Sequence, residues 1–180
     1  MRRKTSLLIG AGAALTVGVV TPALASASHA ATPAKTATCN DGTVTWSPQV
    51  LWPPNHKMQT ITIHYIDSDN DGDSTSITVG TITQNQVDPT TGAEDVGAGN
   101  PHLTDWSGTG NSGSATDPGT ATTTAQVRAE RSGPNGDRVY TIQVMCKDQG
   151  GADPNDPNEA VGQMGTADIT VTVPHDQGHR

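Results

Sequence analysis

The sequence predicts an all-β protein, an immunoglobulin-like antiparallel β-sandwich of about seven strands. Two observations support this prediction. Short segments rich in Thr, Val and Ile alternate apolar and polar residues, which is the period of a strand with one buried face. Clusters of Gly, Pro, Asn and Asp separate these segments and predict turns. No segment has a sustained helical period, so helices are not expected in the core.

The individual strands follow from the alternation. Strands are predicted at 43–46, 59–66, 76–83, 123–131, 138–146 and 166–173. Within one of them, Gly80 shifts the register so that Ile82 continues the apolar face of Ile77 and Val79, which predicts a β-bulge. The turn at 132–137 contains Asn-Gly and predicts a hairpin between its two flanking strands.

A long irregular loop is predicted at 84–122, inside the domain. Gly, Asn, Thr and Asp dominate this segment, and apolar alternation is absent from it. Connections in compact domains rarely exceed about 15 residues, and longer ones are usually functional or disordered. Leu103 and Trp106 are the large apolar residues that would anchor the loop.

The N-terminal residues have the pattern of a secretory signal peptide, predicted to span 1–30. Basic residues at positions 2–4 precede an apolar run, and small residues predict cleavage after Ala25 or Ala30. The protein is therefore expected to be secreted and extracellular. A flexible leader at 31–38 would precede the sandwich domain.

The sandwich domain is predicted at 39–174, with a polar tail at 175–180. The chain has a formal net charge of −8, and removal of the three basic residues at positions 2–4 leaves −11. So acidic a surface argues against nucleic acid and anionic membranes as partners. No later apolar run approaches the ~20 residues of a membrane span, so membrane insertion is not expected. The oligomeric state does not follow from the sequence.

Cys39 and Cys146 are the two cysteines of the chain. In an oxidising compartment they would most simply pair, closing a loop of about a hundred residues, for which chain entropy predicts ~4–5 kcal/mol of stabilisation. Two free thiols or an intermolecular bridge are the alternatives. A disulfide would matter here because the chain contains no Phe and few other aromatic residues.

A possible calcium site follows the strand at 59–66. Asp67, Asp69, Asp71 and Asp73 place a carboxylate at every second position, with Gly72 among them. This spacing matches the first half of an EF-hand loop, in which alternate oxygens converge on one Ca²⁺. The match ends at the twelfth position, where Thr78 replaces the bidentate Glu. The alternative interpretation is a solvated acidic turn.

A second acidic segment begins at Asp148 and continues with Asp153, Asp156 and Glu159. If the sheets bring Asp148 to the same end as the loop at 67–73, the two segments would form shared or adjacent Ca²⁺ sites. The sequence does not show whether they meet.

Catalytic signatures are missing or incomplete, and the sequence predicts no enzyme. Ser112 lies in a Gly-Asn-Ser-Gly-Ser segment, with His102 and Asp105 nearby in the chain. A nucleophile and its base need a rigid scaffold within hydrogen-bonding reach, which an irregular loop does not provide. The histidines lack metal-ligand spacing, and His56 is expected to fix the entry to the strand at 59–66.

Two further groups are candidates for ligand binding. Trp52 and Trp106 would stack on sugar rings if exposed, and would otherwise cap the small core. The arginines around the hairpin would pair with Glu130 or Asp137 on a solvated face, or form a patch that recognises anions. These arginines are Arg128, Arg131 and Arg138.

Several phrases resemble the Ig-like, HYR-type modules of bacterial secreted and surface proteins. They are LWPPNHKM at 51–58, VRAERSG at 127–133, GDRVYTI at 136–142, Lys-Asp at 147–148 and VTVPH at 171–175. The resemblance implies a sandwich spacer or appendage without catalytic residues. The expected function is a secreted, non-catalytic, calcium-stabilised domain in extracellular adhesion, surface association or carbohydrate binding, contacting a glycan or a protein surface. The alternative is a secreted inhibitor or effector that binds another protein through the loop at 84–122.

Overall fold

Alternating Thr/Val/Ile segments form two antiparallel sheets in the computed structural model. The structure describes residues 34–67, 72–86, 105–116, 118–131, 136–149 and 162–175. These residues contain nine strands and no helix. The strands are β1 Thr36–Cys39, β2 Gly42–Ser47, β3 Met58–Ile66, β4 Ser74–Gln84, β5 Trp106–Ser107, β6 Ser112–Thr116, β7 Ala121–Arg128, β8 Arg138–Asp148 and β9 Met164–Val173.

The two sheets pack face to face over one core, which confirms the predicted antiparallel β-sandwich. The first sheet has the order β1-β2-β3-β7-β5, and the second has the order β6-β4-β8-β9. The bulge predicted at Gly80 is present, because the pairing of β4 with β8 shifts register between Val79 and Ile82. Arg138 begins β8, whose predicted inward positions Tyr140 and Ile142 are both fully buried.

Apolar residues at alternate positions of both sheets form the core. The buried strand residues include Ile61, Ile63 and Tyr65 from β3 and Ile169, Val171 and Val173 from β9. Trp46 closes one part of this core, and its indole N–H donates to the Thr170 carbonyl at 2.9 Å. The pattern of buried residues agrees with the alternation that predicted the strands.

Two parts of the fold differ from the sequence prediction. Strand β1 lies mostly within 31–38, the predicted flexible leader, and pairs with β2 through Thr and Ala residues. Strands β5 and β6 lie within 84–122, the predicted irregular loop. Strand β6 consists of small residues, and its glycine is required because a Cβ at Gly113 would overlap the carbonyl oxygen of Thr122 on β7. Residues 87–104 of the predicted loop lie outside the described residues.

A disulfide bond joins Cys39 to Cys146, as the simplest sequence interpretation predicts. Both residues are fully buried, and 107 positions separate them in the chain. Since β1 and β8 belong to different sheets, the bond links the two layers of the sandwich.

The segment from Gln49 to Leu51 covers part of the outer edge of β9. Val50 forms a parallel bridge with Thr172, and Leu51 N donates to the Thr172 carbonyl at 2.8 Å. Thr172 N in turn donates to the Gln49 carbonyl at 3.0 Å. The chain therefore leaves the first sheet at the end of β2 and joins the edge of the second before it reaches Trp52.

The predicted signal peptide at 1–30 and the tail from 176 lie outside the described residues. Within the described ranges, the structure contains no helix long and apolar enough to cross a membrane.

Candidate functional site

A cleft lies beside Trp52, at the end of the sandwich where β3 begins and β7 ends. Its volume is about 190 Å³. The lining residues are Pro48, Val50, Leu51, Trp52, Pro53, Asn55, Gln59 and Ala129. Trp52 is 44% exposed and Val50 is 53% exposed, whereas Leu51 and Ala129 are buried. The cleft therefore combines exposed apolar side chains with two neutral amides.

The segment that carries Trp52 has a defined backbone conformation. The Trp52-Pro53 peptide bond is cis, and His56 adopts a left-handed conformation with φ of 59°. The Asn55 side-chain oxygen accepts a hydrogen bond from Lys57 N at 3.1 Å, which stabilises the turn into β3. His56 N donates to the Ala129 carbonyl at 3.0 Å. His56 thus helps to fix the strand entry, as the sequence predicts.

A buried ionic network lies at the C-terminal end of β7 and the start of β8. Asp105, which is 1% exposed, accepts from Arg138 Nη1 at 2.6 Å and from Arg128 Nε at 3.2 Å. Arg138 is fully buried and also donates to Gln86 Oε1 at 3.2 Å. Charges removed from water in this way require close partners, and each of these groups has at least one.

Tyr140 completes the network next to Arg138. Its hydroxyl donates to the Arg128 carbonyl at 2.9 Å and lies 3.3 Å from Arg138 Nη1. Burial raises the pKa of Tyr140 to about 12, although its hydrogen bond with Arg138 acts in the opposite direction. Burial would lower the pKa of Arg138, but the hydrogen bond to Tyr140 and the charge of Asp105 raise it above its ordinary value. Arg138 therefore stays charged inside the protein.

The network extends from Asp105 to the wall of the cleft. Arg128 Nη1 donates to the His56 carbonyl at 2.9 Å. Glu130 is fully buried, and its Oε2 lies 3.2 Å from His56 Nδ1 and 4.0 Å from Arg128 Nε. Ala129 N donates to the Lys57 carbonyl at 2.9 Å. Contacts from the last residue of β7 and the two residues after it thus hold the segment that follows Trp52.

The sequence analysis predicts that the hairpin arginines pair with Glu130 or Asp137 on a solvated face. This prediction is wrong for Arg138 and for Glu130, because both residues are fully buried. Arg138 is in phase with Tyr140 and Ile142 on the core side of β8. The alternation of the strand therefore indicates that Arg138 is buried. The partner, Asp105, has no such signal, because the segment before it lacks alternation. Of the serine-centred group, Asp105 contacts two arginines, and His102 lies outside the described residues.

The pH dependence of stability follows from Tyr140. Its contribution is complete below the ordinary pKa of 10.0 and is lost as pH rises towards about 12, because the unfolded chain then releases a proton that the folded chain keeps. We expect the free energy of unfolding to fall by roughly 2 kcal/mol over this range. Urea denaturation at a series of pH values would measure it. The Tyr140→Phe variant should lack this part of the decline, and parallel profiles for the two proteins would contradict the assignment.

Three of the predicted calcium ligands, Asp67, Asp73 and Asp148, lie at the opposite end of the sandwich. The loop after Asp67 joins β3 to β4, and Asp148 at the end of β8 lies directly across from Thr75 near the start of β4. Asp67 and Asp148 are 7% and 1% exposed, and Asp73 is intermediate. The topology thus brings Asp148 to the same end as the loop at 67–73.

The structure does not describe the remaining predicted ligands. Asp69 and Asp71 lie outside the described residues, as does the second acidic segment beyond Gln149. Within the described ranges, no group of three or more His, Cys, Asp or Glu residues converges in a way that could hold a metal ion.

The two candidate tryptophans differ in exposure. Trp106 is half-buried and packs against the core, so it has the capping position that the sequence offered as the alternative to ligand binding. Trp52 is the more exposed of the pair and lines the cleft.

Fold and cleft together define an antiparallel β-sandwich with an exposed aromatic cleft. No family model, no curated protein and no solved structure matches the chain. The function is therefore inferred from the chemistry of the site.

Proposed function

We propose that this protein is a secreted, non-catalytic binding module that attaches to an extracellular glycan or protein surface through the Trp52 cleft. The observation that carries the proposal is the cleft itself, in which Trp52 and Val50 remain exposed beside two amide side chains. Exposed aromatic side chains next to a concave surface are characteristic of binding sites, because they supply a large contact area at a small entropic cost.

The rigidity of the cleft wall supports the same function. The segment behind Trp52 is held by backbone hydrogen bonds from Ala129 and by the side chains of Arg128 and Glu130. A wall fixed before binding loses little conformational entropy when the ligand arrives, which favours affinity. The resemblance to HYR-type modules is compatible with this function and stays a prediction.

The proposal is tested by attachment of the secreted protein to extracellular material. We expect the wild-type protein to sediment with insoluble polysaccharides or cell envelopes, and the Trp52→Ala variant to lose at least tenfold in apparent affinity. Met164→Ala is a matched control, because Met164 is 69% exposed but lies on the second sheet, away from the cleft. Equal attachment of wild type and Trp52→Ala would overturn the proposal.

We further propose that Ca²⁺ stabilises the opposite end, because the topology brings Asp148 to the same end of the sandwich as Asp67. A site filled at about 100 times its dissociation constant adds ~2.7 kcal/mol. For a domain of this size, we expect EDTA to lower the melting temperature by about 5–10 °C.

Asp67→Asn should reduce this response to EDTA, whereas Asp168→Asn, an exposed carboxylate on β9, should leave it intact. A melting temperature that EDTA does not change would contradict the proposal that Ca²⁺ stabilises the protein.

A further inference from the structure

We infer that the Trp52 cleft binds one uncharged sugar ring, the terminal residue of a neutral glycan. The inference rests on the proposed function and narrows it from an extracellular surface to one ligand class. It follows from the charge, the surface chemistry and the size of the cleft.

The charge of the lining indicates a neutral ligand. None of the eight lining residues carries a charge, in a chain with 18 acidic and 10 basic residues. An acidic sugar or a charged peptide side chain would lose water in this cleft and gain no counter-ion from these eight residues, which is unfavourable. Glu130, which follows Ala129 in the chain, is fully buried and already contacts His56.

The surface chemistry favours a sugar over a wholly apolar ligand. Trp52, Val50 and the two prolines present apolar surface, which suits the C–H face of a pyranose ring. The Asn55 oxygen already accepts from Lys57 N, so Asn55 offers its amide N–H groups, whereas Gln59 carries both a donor and an acceptor. These groups suit the hydroxyl groups of a sugar. An apolar ligand would cover these amides without replacing their hydrogen bonds to water, at a cost in affinity.

The size of the cleft limits the ligand to one ring. A volume of about 190 Å³ lies below the ~300–1,000 Å³ typical of sites for drug-sized molecules. Binding along a glycan chain would require further exposed aromatic platforms. The other tryptophans do not supply them, since Trp46 is 6% exposed and Trp106 packs against the core. For a ligand of about twelve non-hydrogen atoms, the dissociation constant is expected on the order of 1 mM.

Titration of the secreted chain with small sugars tests the inference. The probes are glucose, mannose, galactose and N-acetylglucosamine, with glucuronic acid and sialic acid as charged counterparts and a short proline-rich peptide as a non-sugar ligand. NMR chemical shifts or calorimetry would report binding. We expect at least one neutral sugar to bind near 1 mM, and every acidic sugar to bind at least tenfold more weakly.

Variants locate the binding in the cleft. Trp52→Ala should weaken the neutral sugar at least tenfold, while Trp52→Phe should retain most of the affinity because an apolar ring face remains. Gln59→Ala should weaken it several-fold, and Met164→Ala should have no effect. Thermal melting of each variant would verify that it is folded.

Three outcomes would overturn the inference. Preferential binding of an acidic sugar or of the peptide, lost in Trp52→Ala, would refute the neutral sugar but leave the proposed function standing. The absence of any sugar binding, combined with Trp52-dependent attachment to a protein surface, would have the same consequence. Attachment that does not depend on Trp52 would refute both.

Discussion

Replacing Asp105 with alanine is expected to lower the free energy of unfolding by about 3–5 kcal/mol. The carboxylate bonds two arginines at 2.6 and 3.2 Å, and one of them, Arg138, is fully buried. Its loss would leave the Arg138 guanidinium without its closest counter-charge in the interior. Urea or guanidinium denaturation of the variant and the wild type would measure the difference.

Two comparisons make this prediction specific to the buried charge. Asp168→Ala removes an exposed carboxylate from β9 and should change stability by no more than about 0.5 kcal/mol. Asp105→Leu combined with Arg138→Met removes both members of the 2.6 Å pair. It should be less destabilising than Asp105→Ala, because the Arg138 guanidinium is then no longer left in the interior without its closest counter-charge. Arg128, whose side chain is 19% exposed, can reach water in this double variant. Equal stability of Asp105→Ala and the wild type would show that the network contributes little.

Loss of the Cys39–Cys146 disulfide is expected to cost about 4–5 kcal/mol. The bond closes a loop with a sequence separation of 107, so it removes much of the conformational entropy of the unfolded chain. The Cys39→Ala/Cys146→Ala double variant should show this loss in chemical denaturation. Its m-value should rise, since an unfolded chain without the crosslink exposes more surface.

A reducing agent separates the crosslink from the packing of the side chains. It should destabilise the wild type by a similar amount and leave the double variant unchanged. A double variant as stable as the oxidised wild type would mean that the crosslink adds nothing to this fold.

The fold was predictable wherever apolar residues alternate with polar ones. Strands such as β3 and β9 place Ile or Val at every second position, and the structure buries those positions. Strand β6 escaped prediction because Ser112 to Thr116 contains no large apolar residue, and its Gly is required by the close approach of β7. Strand β1 escaped for the same reason, since its Thr and Ala residues are held by pairing with β2 and by the disulfide.

The site was less predictable than the fold. The turn that follows Trp52 is held by contacts of His56 with Arg128 and Ala129, which are about seventy positions away in the chain. The pairing of Asp105 with Arg128 and Arg138 likewise joins distant segments through side chains alone. The local alternation of apolar and polar residues does not predict contacts between distant segments. It does indicate one buried charge, because Arg138 is in phase with the core residues of β8.

The chain around Trp52 is attached to both sheets, and this has a mechanical consequence. Before Trp52, Leu51 is hydrogen-bonded to β9 of the second sheet; after it, His56 and Lys57 are hydrogen-bonded to Ala129 beyond β7 of the first. Tension applied to a ligand at Trp52 would therefore divide between two anchors instead of peeling one strand from an edge. A module that tethers a cell or an enzyme against flow would resist detachment by shear better than one that presents its ligand on a single hairpin.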